Sequence, residues 1–278
     1  METACAYAPA NISLIFKSHA NKDPRWTGST GVGFTIDKGI AVEISCSSSN
    51  KIFFNGKVID FPTVLYVIQT LTNQTVTVRI SSELPLGYGF GLSGASALAT
   101  AYAINKLLSL NKSEKDLAII AHTADVIHRT GLGDVTNQYL GGFLVKFVPS
   151  SHFEGEKIEL TNTPVYIKYF SKLETPSVLN NAETIEKVNT AADSAMEQMK
   201  RLIQKDNNIT MSTILAISKQ FVTESDLLND KQTIQLIDSI EKAGGHATMM
   251  ILGNAVVADT NFEGAMEFTI SDKRVCLL

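Results

Sequence analysis

Apolar and polar positions divide the chain into short alternating runs and longer stretches of helical period. Residues 8–16 read as a strand, and residues 23–33 read as a loop punctuated by proline and glycine. Strand-like runs follow at 32–37, 40–46 and 51–54, with turn signals at Lys38-Gly39, at 47–50 and at Asn55-Gly56, so antiparallel pairing of neighbours is expected. Pro62 suits the first turn of a helix carrying Val64, Leu65, Val67, Ile68 and Leu71. Residues 75–81, Thr-Val-Thr-Val-Arg-Ile-Ser, then alternate as a half-buried strand.

A long helix is predicted beyond residue 92. Leu98, Tyr102, Ile104, Leu107 and Leu108 recur near helical spacing, and Ala95, Ala97, Ala99, Ala101 and Ala103 allow close packing, which marks it as central. Ser113 and Asp116 have the spacing of a capping box and open a second helix with a stripe of Leu117, Ile120, Ala121, Ala124 and Ile127, stopped by Gly131. On its other face His122, Asp125 and Arg129 lie within about 60° of one another at about 100° per residue, which by itself reads as a solvated face. Residues 131–142 read as a glycine-rich loop carrying Asp134, ahead of a strand at 143–148. Past residue 155 a strand near 165–170, helices near 182–204, 212–221 and 232–243, and a final strand pair suggest a second α+β unit.

Between the alternating strand and the central helix lies Leu-Pro-Leu-Gly-Tyr-Gly-Phe-Gly-Leu-Ser-Gly-Ala, residues 84–95. Gly87, Gly89 and Gly91 let the backbone take positive φ and approach a ligand, and the unpaired N–H groups of a helix start favour an anion. Ser93 stands where a hydroxyl could reach a phosphate-bound metal. The Walker pattern needs Gly-Lys-Ser/Thr, and the dinucleotide pattern needs a glycine where Leu92 stands, so neither applies. Taken alone, the turn reads equally well as structural punctuation.

Composition narrows the field. The 278 residues are 44% hydrophobic and 19% charged, which suits one large or two ordinary globular domains. A net charge of −4 supplies no basic surface, so no nucleic-acid partner is expected. Cys5, Cys46 and Cys276 are odd in number and form no CxxC pair, which argues against a disulfide framework or structural zinc and for a reducing cytoplasm. No signal-like start and no run near 18 apolar residues occurs, so no membrane partner is expected.

Residues 85–95 fit, without a gap, the pattern Pro-x-Gly-x-Gly-x-Gly-x-Ser-x-Ala, which resembles the second motif of the GHMP small-molecule kinases. Ala8-Pro-Ala-Asn11 and the glycine loop at 242–247 fall in the order of that superfamily's plan, so the resemblance spans almost the whole chain. Within the superfamily the chain looks most like the archaeal pantoate kinase family, through residues 23–33, 87–95 and 130–135 with Gln138 and Gly141-Gly142. The resemblance implies an α+β, two-domain GHMP fold: an ATP-binding domain over 1–155 and a ferredoxin-like domain over 156–278. It implies transfer of the ATP γ-phosphoryl group to the terminal hydroxyl of (R)-pantoate, on the route to coenzyme A.

The same resemblance distributes roles. Pro85, Gly87, Gly89, Phe90, Gly91, Leu92, Ser93, Gly94 and Ala95 would hold ATP, and Ser93 with Asp125 would bind Mg²⁺. Asp134 lies seven residues before Gly141, a spacing shown by the mevalonate-kinase branch for its catalytic aspartate, and would act as base or orienter of the attacking hydroxyl. His122, Arg129 and Lys146 would contact the pantoate carboxylate and hydroxyls. Asn11 replaces the lysine of mevalonate-type relatives and the common histidine of pantoate kinases. Lys146 replaces an arginine, Asp125 replaces a glutamate, and Gly244-Gly-His-Ala247 is poor in glycine for a third motif. A kinase of another small alcohol, homoserine or mevalonate, and a nucleotide-binding regulator without chemistry are the alternatives. The oligomeric state is left open, a homodimer included.

Overall fold

The computed structural model describes residues 2–172, 181–205 and 209–278. Its frame is an antiparallel pair of long strands, β1 (Thr3–His19) and β2 (Gly28–Cys46), paired from Thr3 opposite Ser45 to His19 opposite Gly28 with register shifts after Pro9 and after Ser13. β2 runs unbroken through two places where a turn or loop is expected. Residues 28–33 pair with β1 instead of looping, and only Pro24–Trp26 form a short 3₁₀ turn. Lys38-Gly39 is no hairpin turn but borders a bulge: the pairing shifts between Pro9 opposite Gly39 and Asn11 opposite Thr35, and a side chain on Gly39 would press within 2.2 Å of the Ala8 carbonyl oxygen, so close approach of strands requires glycine there. Asn55-Gly56 is a true turn, with φ of 49° and 79° between β3 (Lys51–Phe54) and β4 (Lys57–Val58).

The first sheet has the order β12 (Cys276–Leu277), β1, β2, β5 (Val76–Ser82), β3, β4. β6 (Phe143–Lys146) pairs with the other half of β2 and carries β7 (Glu156–Ile158) on its edge. β3 pairs antiparallel with β4 across the Asn55-Gly56 turn, but on its other edge it lies parallel to β5 and does not pair with β2, because the chain returns to the sheet through helix α1 (Pro62–Leu71). Helix α2 (Leu92–Leu107) packs against β1 and β2 and is buried from Gly94 to Ile104, the central position expected from its alanines. Helix α3 (Glu114–Ile127) covers α2, with Ser113 accepting from the Asp116 N–H at 3.1 Å as its N-cap. It ends on Arg129 at φ 56°, two residues before the glycine expected to stop it. Residues 134–140, expected in a loop, form the two-turn helix α4 (Asp134–Leu140).

The second sheet runs β11 (Met266–Thr269), β8 (Pro164–Ser171), β10 (Asn254–Ala258), β9 (Ala247–Met249), antiparallel throughout. Helices α5 (Ala182–Gln204), α6 (Met211–Glu224) and α7 (Lys231–Lys242) lie between β8 and β9 in the chain, each opened by a side-chain cap from Asn181, Thr210 or Asp230. In chain order the strands lie fourth, first, third, second, the arrangement of a ferredoxin-like sheet, while residues 259–265 between β10 and β11 contain no helix. The two sheets are joined by polar contacts as well as by a shared apolar core. Ser218 donates to the Leu14 carbonyl at 2.8 Å, and the Ile251 N–H to that of Ser13 at 3.0 Å. Among the described residues, no helix is long and apolar enough to cross a membrane.

Candidate active site

The glycine turn is pinned on three sides. Asn11 N–H donates to the Phe90 carbonyl at 3.0 Å, and Gln138 Nε2 donates to that of Gly91 at 2.8 Å. From the C-terminal half, Gly253 meets the turn so closely that a Cβ on it would stand 2.5 Å from the Tyr88 carbonyl oxygen. Gly87, Gly89 and Gly91 all take positive φ, at 87°, 87° and 61°, a conformation that side chains rarely adopt. Gly91 caps α2 with no side-chain hydrogen bond, so the first N–H groups of that helix face the cavity at its positive end. The turn is thus built as an anion cradle.

Above it opens a cavity of about 370 Å³ lined by Gly87, Gly89, Phe90, Gly91, Leu92 and Ser93 from the turn, and by Ile59, Asp60 and Phe61 before α1. Residues 130–134 form another wall, with Ser13 and Phe16 of β1, Lys172, Ile251 and Leu252 completing it. Lys172 places its stem 3.4 Å from where a side chain on Gly87 would begin, which sets a cation beside the cradle.

Two carboxylates come together at this cavity, Asp134 lining it and Asp125 buried behind its wall. Asp125 projects from α3 into the base of the turn, where its Oδ1 accepts from Ser93 Oγ at 2.9 Å and Thr130 Oγ1 at 2.6 Å. Its Oδ2 is buried without a partner. Burial pushes the carboxyl up to about 7, with the nearby Asp134 charge adding to it and the Thr130 and Ser93 hydrogen bonds opposing. Asp134, the first residue of α4, accepts through Oδ1 from Asn11 Nδ2 at 2.6 Å and Ser13 Oγ at 3.2 Å. Burial raises its pKa too, against the Asn11 bond, the Lys146 charge and the Ser13 bond. A methyl built on Gly131 would stand 2.9 Å from the Oδ2 of both aspartates, so both oxygens border one gap beside Gly131.

That gap suits a hard divalent cation. Mg²⁺ takes oxygen ligands and is commonly held by one or two carboxylates together with substrate phosphates. An orphaned carboxylate oxygen beside a serine hydroxyl at the start of the cradle helix meets that description.

Of the expected substrate contacts, His122 and Lys146 stand behind the cavity wall. His122 is 1% exposed, its Nε2 lies 2.7 Å from the Thr27 carbonyl oxygen, and its ring packs against Phe153. Burial lowers its pKa to about 4, so it is neutral near pH 7. Lys146 is buried and donates to the Gly133 carbonyl at 3.0 Å and to Asn137 Oδ1 at 2.8 Å. Burial lowers its ammonium to about 8 against the pull of Asp134. Arg129 is exposed at the end of α3. The face read as solvated is therefore buried at His122 and Asp125, because the 3₁₀ turn at Pro24–Trp26 and the 130–134 segment close over it. The loop that meets the cradle is 250–253, whereas His246 in the expected third motif pairs with Asp259 and a side chain on Gly244 would meet nothing within 4 Å. Ser13 and Asn137 carried no sequence signal of their own; chain separations of up to 126 residues hid their partners.

A family model described as the GHMP kinases N terminal domain matches residues 61–142, which hold the cradle and both aspartates. The pantoate kinase of Methanocaldococcus jannaschii is 31% identical over 90% of this chain and 90% of its own, and that of Methanospirillum hungatei is 28% identical over 91% and 86%. A solved structure described as a phosphotransferase related to the CoA biosynthesis pathway superposes with a TM-score of 0.85 at 22% identity, over 99% of this chain and 98% of that one. The mevalonate diphosphate decarboxylase of Enterococcus faecalis shares the fold at a TM-score of 0.75 and 15% identity, over 99% and 98%. The chain belongs to the GHMP kinases, in the family of the pantoate kinases. It is a phosphotransferase with an alcohol group as acceptor.

Proposed function

We propose that the protein transfers the γ-phosphoryl group of ATP to the terminal hydroxyl of (R)-pantoate, giving 4-phosphopantoate and ADP. The observation that carries this reading is the pair of aspartates set across one gap beside an anion cradle, in a chain related to pantoate kinases over nine-tenths of its length. In this reading the chain divides near residue 155. The N-terminal unit holds ATP through the 85–95 turn, and the C-terminal unit closes the cavity with Ile251 and Leu252.

Phosphoryl transfer needs positioning and neutralisation of charge more than covalent chemistry from the protein. The backbone N–H groups of the turn hold the phosphates in place, with Lys172 beside Gly87 adding a positive charge. Ser93 Oγ and Asp125 Oδ2 are the groups that would hold Mg²⁺, which when bound offsets phosphate charge. The acceptor hydroxyl oxygen forms a bond to the γ-phosphorus as the bond to the bridging β,γ-oxygen breaks, and ADP leaves with that electron pair. The hydroxyl proton passes to the carboxylate of Asp134, which Asn11 and Ser13 hold by Oδ1. The apolar walls from Phe16, Phe61, Phe90, Leu132 and Leu252 keep water from competing for the phosphoryl group. Three free cysteines fit work in the reducing cytoplasm.

The test is ADP release by purified protein with Mg-ATP against (R)-pantoate, pantothenate, homoserine and mevalonate. The reading expects pantoate to be turned over with the highest kcat/KM. Preference for another alcohol overturns the acceptor, and no release with any of them while ATP binds tightly favours the regulator.

A further inference from the structure

We infer that Lys146 is a positioning residue: its ammonium sets the direction of a two-amide relay, through Asn137 and Asn11, that aims Asp134 at the acceptor. The inference rests on the reading of Asp134 as the group that takes the hydroxyl proton.

Four side chains from three elements form one line of hydrogen bonds. Lys146 Nζ on β6 donates to Asn137 Oδ1 at 2.8 Å, Asn137 Nδ2 on α4 donates to Asn11 Oδ1 at 2.7 Å, and Asn11 Nδ2 on β1 donates to Asp134 Oδ1 at 2.6 Å. Lys146, Asn137 and Asn11 are at most 4% exposed, so none has water as an alternative partner. A carboxamide can be turned over with no change of shape, and in isolation either orientation of Asn11 would fit. The two ends remove that freedom. An ammonium has only donors and an ionised carboxylate only acceptors, so every amide in between must point its oxygen toward Lys146 and its nitrogen toward Asp134. Turning both over would set an NH₂ against the ammonium and a carbonyl oxygen against the carboxylate, two buried repulsive contacts at once.

Lys146 holds the same aspartate a second way. Its other bond, to the Gly133 carbonyl at 3.0 Å, grips the backbone immediately before Asp134 and so fixes where α4 begins. With Oδ1 committed to Asn11 and Ser13, Oδ2 is the oxygen turned toward Gly131 and the cavity. An arrangement in which Lys146 binds the substrate itself would require its ammonium to line the cavity, and it stands behind the 133–134 backbone with two bonds committed inside the protein.

The experiment measures steady-state kinetics and side-chain amide NMR on the full chain with Lys146→Met, Asn137→Asp and the double variant. Asn137→Asp keeps an acceptor for the lysine, now a charged one, and sets an acceptor oxygen where Asn11 needs a donor, so it breaks the line at that bond and carries the test even if Lys146→Met fails to fold. Each single variant is expected to lower kcat by about 10- to 100-fold, the scale of a misplaced reacting group, with KM for ATP and pantoate within about twofold. The double variant is expected to be no worse than the poorer single one, because both break the same line. In the NMR arm the Asn11 carboxamide protons are slow to exchange in the wild type and lose that protection in both singles. A raised KM for pantoate with kcat preserved would make Lys146 a substrate contact, and additive losses or an unaffected Asn137→Asp would overturn the relay. A wild-type protein inactive on every alcohol would overturn the reading of Asp134 and not the relay, which the amide exchange tests without turnover.

Discussion

Gly131→Ala separates the catalytic gap from the fold. A methyl at this position would stand 2.9 Å from Asp125 Oδ2 and 2.9 Å from Asp134 Oδ2, closer than real Cβ atoms approach. Neither carboxylate is free to swing aside. Asp125 is held through Oδ1 by Ser93 and Thr130, and Asp134 through Oδ1 by Asn11 and Ser13. Gly131 is not among the positive-φ glycines, so its backbone accepts alanine, a change that at compatible sites stabilises by about 0.4–1 kcal/mol. That gain offsets part of the crowding, and the melting temperature is expected to stay within about 5 °C of wild type. Activity should fare differently. The methyl fills the gap and spreads the carboxylates, and a displacement of the order of 1 Å in positioned groups costs about 100-fold, or about 2.7 kcal/mol of transition-state stabilisation. Thermal melts, titration calorimetry of ATP with and without Mg²⁺, and ADP release with pantoate give the three readouts. A folded variant with kcat within about threefold of wild type would contradict the assignment of the gap.

Asp125→Ala is expected to weaken ATP binding in the presence of Mg²⁺ while leaving metal-free ATP binding within about twofold, because the residue touches no phosphate; equal weakening in calorimetry with and without Mg²⁺ would contradict it. His122 ionises near 4 in the fold and near about 6.5 in the unfolded chain, so stability is level above about pH 7 and falls as pH drops from 6.5 to 4, by about 3 kcal/mol in all. Asp125, raised to about 7, contributes in the opposite sense over the same window, so the readout is the difference between wild type and His122→Gln in denaturant titrations, which should carry the His122 fall. Gly253→Ala presses a methyl within 2.5 Å of the Tyr88 carbonyl oxygen, and a fall in ATP affinity of about tenfold with the fold intact is the outcome expected in the same calorimetric assay.

The backbone of the glycine turn was legible, since three glycines at alternate positions between a strand and a helix all adopt positive φ, whereas its reading as an anion cradle needed the wider motif, because the turn alone serves equally well as punctuation. Asp134 was singled out by its distance from Gly141 and does line the cavity, but the helix it starts was not legible, since glycines on both sides of 134–140 outweigh seven residues of helix. Gly39 was misleading for the opposite reason. A glycine required by the close approach of a neighbouring strand looks the same in sequence as one required by a turn. The partners of Asp134 come from β1, more than 120 residues earlier, where Asn11 and Ser13 sit in an ordinary strand pattern. Burial of His122 and Asp125 likewise depends on which segments fold over α3, and helical periodicity reports only that two faces differ.

The measurement that tests the central claim most directly is ³¹P NMR of (R)-pantoate with Mg-ATP, comparing wild type with Asp134→Asn. The account expects wild type to build a phosphomonoester signal from pantoate matched by ADP, and the variant to slow this by about 10²- to 10⁴-fold while binding ATP with unchanged affinity. A phosphomonoester formed at the wild-type rate by Asp134→Asn would contradict the role given to Asp134, and ADP appearing with no phosphorylated pantoate would contradict the reaction itself.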